Sequence, residues 1–167
     1  RHGPGGSPVL YEDLLIFSCD GTAVAFVVAL AAKTGAVRWK KDRDGPMAYS
    51  TPLIINVDGK DQLVSPGGDQ VVAYDPRTGD EIWKSKYDGY SGIPRPVYGH
   101  GLVFICSGYN TPYLWAIRPD GNGDVTETHV AWKMQKGAPH SPSPVLVGDE
   151  LYIVSDTGIA SCLDAKT

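Results

Sequence analysis

The chain has 167 residues, which is long enough for one ordinary domain with a full hydrophobic core. Its formal net charge of −4 without a basic stripe argues against nucleic-acid binding, and no apolar run of about 18 residues predicts a membrane span. The 20 glycines and 13 prolines exceed the usual combined share of about 12% and are separated by short runs of Val, Ile, Leu and Tyr. The composition therefore indicates an all-β protein.

The first recurring signal along the chain is a short apolar segment that begins next to a proline. The segments read "SPVLYEDLLIF" from Ser7, "TPLIINVDGKDQLV" from Thr51, "RPVYGHGLVFI" from Arg95 and "SPVLVGDELYIV" from Ser143. Their prolines follow one another at intervals of 44, 44 and 48 residues. This regular spacing predicts an internal repeat.

A second signal recurs with the same period and consists of a Thr-Gly turn followed by a tryptophan. Residues 29–39 read "ALAAKTGAVRW" and residues 73–83 read "AYDPRTGDEIW". Trp132 comes 49 residues after Trp83, and "CLDAKT" at residues 162–167 begins a fourth copy that stops before its glycine. Two markers that share one period indicate a repeat architecture, and repeats of this length form solenoids, propellers or arrays.

Each repeat unit resolves into four short strands joined by tight turns. In the fourth copy "SPVLV", "ELYIVS" and "IASCLD" are the first three strands, and Gly/Asp turns connect them. β-Branched and aromatic residues fill the runs without a 3.6-residue period, which disfavours a helical repeat. We therefore predict an all-β fold, a β-propeller of four-stranded antiparallel blades with about four blades present as a partial ring.

The prediction assigns residues 1–167 to a single propeller segment. Its blades lie at about residues 7–44, 48–88, 92–137 and 140–167, and the last lacks its outer strand. We expect each tryptophan to pack between blades against a Thr-Gly turn of a neighbour, because glycine lets the ring approach the backbone. Cys19, Cys106 and Cys162 are predicted to be free buried thiols, with Cys162 as a small filler at the position of an alanine in the other copies.

The spacing Ala-x-Asp-x-x-Thr-Gly-x-x-x-Trp at residues 73–83 resembles the tryptophan-docking motif of the pyrroloquinoline-quinone-type (PQQ-like) β-propeller repeat. The resemblance covers residues 7–167, with Ala31 in place of the motif aspartate in the first copy and a longer turn in the third. It implies a ring of seven or eight blades, so we expect the chain to be about half a ring and a piece of a longer protein. It also implies a periplasmic or secreted location.

The resemblance implies two functional classes, quinone-dependent dehydrogenases and cofactor-free binding propellers. The dehydrogenases share a pair of adjacent cysteines, an acidic base and calcium ligands, and this chain has no adjacent cysteines. We expect a non-catalytic scaffold that presents a protein- or ligand-binding surface within a larger exported protein. The alternative is part of a PQQ-dependent dehydrogenase whose cofactor site lies in other blades, so the enzyme question stays open. A carbohydrate-binding module, suggested by Tyr109, Tyr113 and Trp115, is the weaker third hypothesis.

These classes imply particular cofactors and partners for the chain. We expect no quinone and no zinc to bind this segment, and PQQ or calcium only as the less favoured alternatives. The expected partners are another protein or further blades of the same protein, and no nucleic acid.

The loops that precede the first strand of each unit are the candidate binding elements, because such loops surround the mouth of the channel in propellers. They read "RHGPGGS", "GPMAYST", "YSGIPR" and "GAPHSPS". Arg95 replaces the small hydroxyl residue found before the other repeat prolines, and a break in a pattern can mark function. Arg95, Tyr49 and His140 are therefore the candidate ligand-binding residues, with His2 in an equivalent loop. Arg95 would bind an anion or carboxylate; the alternative is a surface arginine paired with a neighbouring aspartate or main-chain carbonyl.

The stretch "DGNGDVT" offers a weak candidate calcium site. Asp120, Asn122 and Asp124 place oxygen ligands at alternate positions, as the start of a calcium loop does. The twelfth position is Ala131 and supplies no acidic ligand. The alternative is a glycine-rich hairpin tip stabilised by local hydrogen bonds.

Overall fold

The computed structural model describes residue 3 and residues 5–167, which form four antiparallel sheets that we call blades 1 to 4. Blade 1 contains β1 (Val9–Tyr11), β2 (Leu14–Asp20), β3 (Ala25–Ala31) and β4 (Val37–Asp42). Blade 2 contains β5 (Leu53–Val57), β6 (Lys60–Pro66), β7 (Gln70–Tyr74) and β8 (Glu81–Lys86). In both blades the strands pair in sequence order.

Blades 3 and 4 repeat this order with one addition and one difference. Blade 3 contains β9 (Val97–Gly99), β10 (Leu102–Cys106), β11 (Leu114–Ile117) and β13 (Val130–Met134), and the short β12 (Gly123–Asp124) pairs in parallel with β8 of blade 2. Blade 4 has three strands, β14 (Val145–Val147), β15 (Glu150–Val154) and β16 (Ala160–Asp164). The predicted all-β partial propeller is confirmed. In the described part of the chain, no helix is long and apolar enough to cross a membrane.

The turns between strands follow the glycines that the sequence places there. Asp58 and Gly59 both have positive φ, 49° and 81°, as the two-residue turn between β5 and β6 requires. Gly35 and Gly79 occupy the same position in the turns of blades 1 and 2, with φ of 72° and 74°. A left-handed backbone favours glycine, and so these turns recur with the repeat.

The hydrophobic core lies between successive blades, in three separate clusters. Blades 1 and 2 bury Ile16 and Trp39 against Leu63, and blades 2 and 3 bury Val64 and Trp83 against Val103. A third cluster buries Phe104 and Cys106 of blade 3 with Leu151 and Ile153 of blade 4. Each inner blade therefore uses one face of its sheet for the preceding blade and the other face for the following one.

The three repeat tryptophans have different surroundings. Trp39 donates from Nε1 to the Pro76 carbonyl at 3.0 Å, and a Cβ placed on Gly79 would lie 2.6 Å from Trp39 Cε3. Trp39 therefore lies on the Thr-Gly turn of blade 2, as expected. Trp83 is fully buried and instead donates to Gln62 Oε1, whose amide in turn donates to the Pro119 carbonyl in the long turn of blade 3.

Trp132 differs from both. Its ring is partly buried, it packs on Phe104 at a centroid distance of 5.8 Å, and its buried Nε1 has no hydrogen-bond partner. The expectation of a Thr-Gly turn at every tryptophan is therefore wrong for Trp83, because the third copy has a longer turn. Trp132 lines a small cleft together with Leu163 and Thr167.

A buried ion pair of blade 1 contacts blade 2 through Ser65. Arg43 and Asp20 have side chains only 5% and 4% exposed and form a two-point pair, with Arg43 Nε 3.0 Å from Asp20 Oδ1. Arg43 Nη1 also donates to Ser65 Oγ at 3.0 Å. Burial raises the pKa of the Asp20 carboxyl above 3.8, although the charge of Arg43 and its hydrogen bond act to lower it.

The three cysteines are free thiols, as predicted. Cys106 is 2% exposed, and burial, with a smaller contribution from the charge of Asp156, raises the pKa of its thiol to about 12. Cys19 is half-buried and Cys162 is exposed. The prediction of a buried Cys162 is wrong, because within the described part of the chain no strand pairs with β16 on the side away from β15.

Candidate binding site

The loops that lead from the outer strand of one blade to the inner strand of the next lie side by side. Tyr49 N donates to the Gly92 carbonyl at 2.7 Å, and Ser91 N donates to the Met47 carbonyl at 2.9 Å. These main-chain bonds fix the loops after blades 1 and 2 against each other. The loops, together with Tyr109 of the β10–β11 turn and the loop before β14, enclose a cleft of about 820 Å³ that we call the mouth cleft; it is lined by Gly3, Gly5, Met47, Tyr49, Tyr90, Ser91, Ile93, Tyr109 and His140.

The mouth cleft presents aromatic and apolar surface. Tyr90 and Tyr109 are 40% and 52% exposed, and the ring of Tyr109 lies 5.0 Å from that of His140 between centroids. Among its described lining residues there is no Asp, Glu, Lys or Arg. Such a lining suits an uncharged group that offers apolar surface and a few hydrogen-bonding atoms.

His140 is held in place by blade 4. Its backbone N–H donates to Asp156 Oδ2 at 2.7 Å, and its Nδ1 lies 3.5 Å from Asp156 Oδ1. Asp156 lies in the turn between β15 and β16, so blade 4 fixes this wall of the mouth cleft. His140 also borders a second cleft of about 720 Å³ between blades 3 and 4.

The structure brings together two of the three predicted site residues. Tyr49 and His140 line the mouth cleft, whereas the exposed Arg95 does not. Arg95 N donates to Ser143 Oγ at 2.9 Å, and Ser7 N donates to Thr51 Oγ1 at 2.8 Å. The small hydroxyl before a repeat proline therefore ties one blade to the preceding one. His2 lies outside the described residues.

The weak calcium candidates have other partners in the structure. Asp124 Oδ1 accepts hydrogen bonds from Thr126 N and Oγ1, and the hydroxyl bond lowers the pKa of Asp124. Asp120 lies 3.7 Å from His129 Nε2. These contacts match the hairpin-tip alternative. In residues 3 and 5–167, no group of three or more His, Cys, Asp or Glu could hold a metal ion.

Sequence reasoning missed four of the residues that line the mouth cleft, Met47, Tyr90, Ile93 and Tyr109. Met47, Tyr90 and Ile93 lie in loops that the sequence indicates as binding elements. A search for breaks in the repeat pattern nevertheless favours Arg95 over ordinary apolar and aromatic residues. Tyr109 was associated with the carbohydrate hypothesis. That hypothesis needs an exposed Trp115, and Trp115 is buried between blades 2 and 3, 8% exposed.

The residues of the mouth cleft do not fit the quinone of the dehydrogenases. That quinone carries three carboxylates, which need cationic or several N–H partners when they are desolvated. The described lining supplies neither Lys nor Arg, and it supplies no carboxylate ligands for an accompanying metal.

The blade repeat, the inter-blade tryptophans and the loops that meet at a cleft define a β-propeller of the PQQ-like type. The family model described as outer membrane protein assembly factor BamB matches residues 3–167. The chain belongs to this family, and the predicted resemblance is confirmed.

Similar proteins include proteins named BamB and an alcohol dehydrogenase. A BamB from Francisella salina is 30% identical over 101 residues, which covers 59% of this chain and 17% of the relative. The crystal structure of BamB from Moraxella catarrhalis matches 96% of this chain and 46% of that chain, with 18% identity and a TM-score of 0.62. Quinohemoprotein alcohol dehydrogenase from Comamonas testosteroni matches 100% of this chain and 34% of its own, with 16% identity and a TM-score of 0.71. The chain thus spans less than half the length of each, and the structural likenesses show the fold alone.

Proposed function

We propose that the chain is part of a non-catalytic, exported β-propeller that binds a protein partner at the mouth cleft. The observation that carries this proposal is a cleft built from the loops of successive blades and lined by Tyr90, Tyr109, Met47 and Ile93, with no Asp, Glu, Lys or Arg among its described lining residues. Rings held on rigid blades supply contact area with little loss of side-chain freedom on binding.

The proposed partner presents an uncharged loop or terminus with an apolar or aromatic side chain. Tyrosines are enriched where protein interfaces bury both apolar surface and a hydroxyl, and the mouth cleft offers Tyr49, Tyr90 and Tyr109 together. The relative that is named an assembly factor supports a role in holding another protein, and it supports a location outside the cytoplasm.

The described side chains support binding better than catalysis. The mouth-cleft residues form no set of nucleophile, base and orienting group. The nearest candidate is His140, but Ser141 Oγ at 3.4 Å and Asp156 Oδ1 at 3.5 Å both face its Nδ1, whereas a catalytic histidine uses one ring nitrogen for the nucleophile and the other for the carboxylate. The alternative of a quinone-dependent dehydrogenase predicts a bound quinone, which would be seen as an absorbance band of the purified protein and as substrate-dependent dye reduction. We expect neither.

The test is a selection of displayed random peptides against the purified chain. Selected peptides are expected to bind the wild type and to lose about tenfold or more in affinity with Tyr90→Ala or Tyr109→Ala. Tyr152→Ala is the matched control, because Tyr152 is 41% exposed, close to the 40% of Tyr90, and lies on blade 4 away from the mouth cleft.

Two results would contradict the proposal. One is that the selected peptides bind all three tyrosine variants as they bind the wild type, which would place the binding surface elsewhere. The other is stoichiometric quinone in the purified chain together with dehydrogenase activity.

A further inference from the structure

The loops that follow blades 1 and 2 border a further cleft, which carries an excess of carboxylates. This cleft has a volume of about 800 Å³, is closed on its other sides by residues of blades 2 and 3, and shares no described lining residue with the mouth cleft. We call it the acidic cleft; its charged lining residues are Asp44, Asp69, Asp88, Glu127 and Lys86.

The four carboxylates of the acidic cleft are unpaired. None of them forms an ion pair or a side-chain hydrogen bond with another described residue, and Lys86 instead lies 3.7 Å from Asp124, outside the lining. Among the described acidic residues only Asp13 and Asp58 share this lack of a partner. A cleft lined by one sign of charge concentrates ions of the opposite sign, so this cleft favours a cationic ligand.

Two buried polar atoms of the lining independently lack a hydrogen-bond partner. They are Asp69 Oδ1, an acceptor, and Trp115 Nε1, a donor. Trp115 is 8% exposed and Asp69 is half-buried, whereas Asp44, Asp88 and Glu127 are exposed. A buried polar atom without a partner costs free energy, which a ligand recovers when it supplies the missing group. The deeper part of the cleft therefore suits a ligand that both donates and accepts hydrogen bonds.

One wall of the acidic cleft comes from a departure from the repeat. The long turn of the third copy carries β12, which pairs in parallel with β8 of blade 2. Val125 N donates to the Lys84 carbonyl at 2.8 Å, and Lys86 N donates to Thr126 Oγ1 at 3.0 Å. These bonds fix the turn against blade 2 and place Glu127 on the cleft. The short Thr-Gly turns of the first two copies supply no such wall, so the acidic cleft belongs to this junction and not to the repeat.

The distribution of the carboxylates indicates an extended ligand. The described residues include no set of three or more His, Cys, Asp or Glu that could hold one metal ion, so a single ion would not pair these carboxylates. Several cationic groups along one chain could reach them separately. A peptide with arginine or lysine side chains also has main-chain carbonyls that can accept from Trp115 Nε1, whereas a polyamine offers donors only.

From these observations we infer that the acidic cleft binds an extended basic segment of a partner protein. Cationic side chains of the segment pair with the four carboxylates, and one of its main-chain carbonyls accepts from Trp115 Nε1. Arginine suits the cleft better than lysine, because its planar guanidinium can pair with a carboxylate at two points. The acidic cleft takes a ligand of a different character from that of the mouth cleft and does not rest on the proposed function.

The probe is a fluorescently labelled, end-capped peptide of alternating arginine and serine. We expect saturable binding to the 167-residue chain by fluorescence anisotropy. Affinity should fall between about 20 mM and about 0.5 M salt, because salt screens exposed charge pairs. The same peptide with citrulline in place of arginine keeps the carbonyls and the side-chain shape without the charge, and it should bind at least about tenfold more weakly.

Three substitutions test the assignment of the carboxylates. Asp69→Asn keeps the size of the side chain and removes its charge, and it should lower the affinity about tenfold or more, because this carboxylate is the least exposed of the four. Glu127→Gln, on the exposed wall, should lower it about twofold to fivefold. Asp58→Asn is the matched control, since Asp58 is exposed and unpaired but lies in the β5–β6 turn, at the opposite end of β6 from Asp69; it should leave the affinity unchanged.

Nuclear magnetic resonance of the unaltered chain gives a second readout that does not depend on a variant in the packed junction. The indole N–H signal of Trp115 should shift when the arginine peptide binds, because a carbonyl then accepts from it. Spermine, a linear polyamine without a carbonyl, should not shift that signal, and it should displace the peptide only at about tenfold higher concentration or more.

The inference is overturned if the arginine and citrulline peptides bind equally, if Asp58→Asn weakens binding as much as Asp69→Asn, or if no saturable binding occurs up to about 1 mM. Displacement by spermine at equal concentration, or an unshifted Trp115 signal, would also overturn it, since the cleft would then bind small cations and not a peptide. Tyr90→Ala in the mouth cleft should leave binding of the arginine peptide unchanged, so the two proposals fail independently.

Discussion

At the scale of single residues, the pair of Arg43 and Asp20 is a buried charged interaction at the junction of blades 1 and 2. Both side chains are about 5% exposed, and Arg43 also reaches Ser65 of blade 2. Breaking a buried ion pair by removing one partner leaves an uncompensated charge, which costs far more than the pair contributes. The sequence offers no sign of this pair, because the residues are 23 positions apart and do not follow the repeat.

We predict that Arg43→Met lowers the free energy of unfolding by about 3–5 kcal/mol at neutral pH. Burial raises the pKa of Asp20 above its value of 3.8 in the unfolded chain, and loss of Arg43 raises it further. A raised carboxyl pKa means that the native state binds the proton more tightly, so this group stabilises below pH 3.8 and loses that contribution as pH rises through the folded pKa. The deficit of the variant should therefore shrink as the pH falls towards about 4.

The measurement is urea denaturation of wild type and variant at both pH values. Lys40→Met is the control, because the ion pair of Lys40 with Asp42 is 43% and 80% exposed and should contribute less than about 1 kcal/mol. A deficit that stays constant across the pH range would show that lost packing of Arg43, and not the charge of Asp20, explains the effect.

At the scale of elements, the turn between the third and fourth strands acts in two ways. Its glycine adopts a left-handed backbone within its own blade, and it accepts the tryptophan of the preceding blade. Gly79 serves both ends, since a Cβ there would lie 2.6 Å from Trp39 Cε3, whereas a Cβ at Gly35 would have nothing within 4 Å. The two glycines therefore separate the local from the inter-blade contribution.

We predict that Gly35→Ala costs about 1–2 kcal/mol, the expense of a left-handed conformation alone. Gly79→Ala should cost about 1–3 kcal/mol more, because the methyl group displaces the ring of Trp39. In a Trp39→Ala background the two glycine substitutions should cost the same, which a double-mutant cycle by chemical denaturation can measure. Equal costs in the wild-type background would mean that the ring of Trp39 moves away from the added methyl group without a loss of stability.

The strands and turns could be predicted from sequence to different extents. Alternating β-branched residues, Asp58-Gly59 and the Thr-Gly turns depend on local chemistry, so the sequence predicts them well. Which loop residues form the mouth cleft depends on how neighbouring blades are placed, and neither Tyr90 nor Tyr109 breaks the repeat pattern. The exposure of Cys162 was mispredicted for the same reason, since burial at that position requires a partner outside blade 4.

At the scale of the whole molecule, each buried cluster of the described residues joins two blades that are adjacent in sequence. The buried residues of blade 4 pack on blade 3, in a cluster distinct from those around Trp83 and Trp39. Stability in such an array is a sum of units and nearest-neighbour interfaces, so a unit that packs on one neighbour can open before units that pack on two.

We predict that Cys106 becomes reactive towards a thiol reagent at a lower urea concentration than the global unfolding transition. Cys106 lies in the buried cluster that joins blade 3 to Leu151 and Ile153 of blade 4, and burial raises the pKa of its thiol, so we expect it to react only when blade 4 separates. Mass spectrometry of pulse-labelled protein should show Cys162 labelled at once and Cys106 next, while far-ultraviolet circular dichroism is still native. If labelling of Cys106 coincides with loss of the circular dichroism signal, blade 4 unfolds together with the others.

The contact of Trp39 with the turn of blade 2 means that the unit of sequence and the unit of packing are out of phase. The tryptophan of one repeat copy packs on the turn of the next copy, as Trp39 packs on the turn of blade 2, and the turn of that copy is covered by the tryptophan of the copy before it. Exchange of a whole copy between homologous genes would thus create two interfaces, one at each boundary, in which the tryptophan and the turn come from different genes. Crossovers placed between the glycine and the tryptophan, within residues 79–83 for example, would divide a blade. They would keep each tryptophan and the turn that it contacts within sequence from the same gene. Chimeras built with the two kinds of boundary should differ in yield, and shuffled descendants of such arrays should carry their junctions inside the blades.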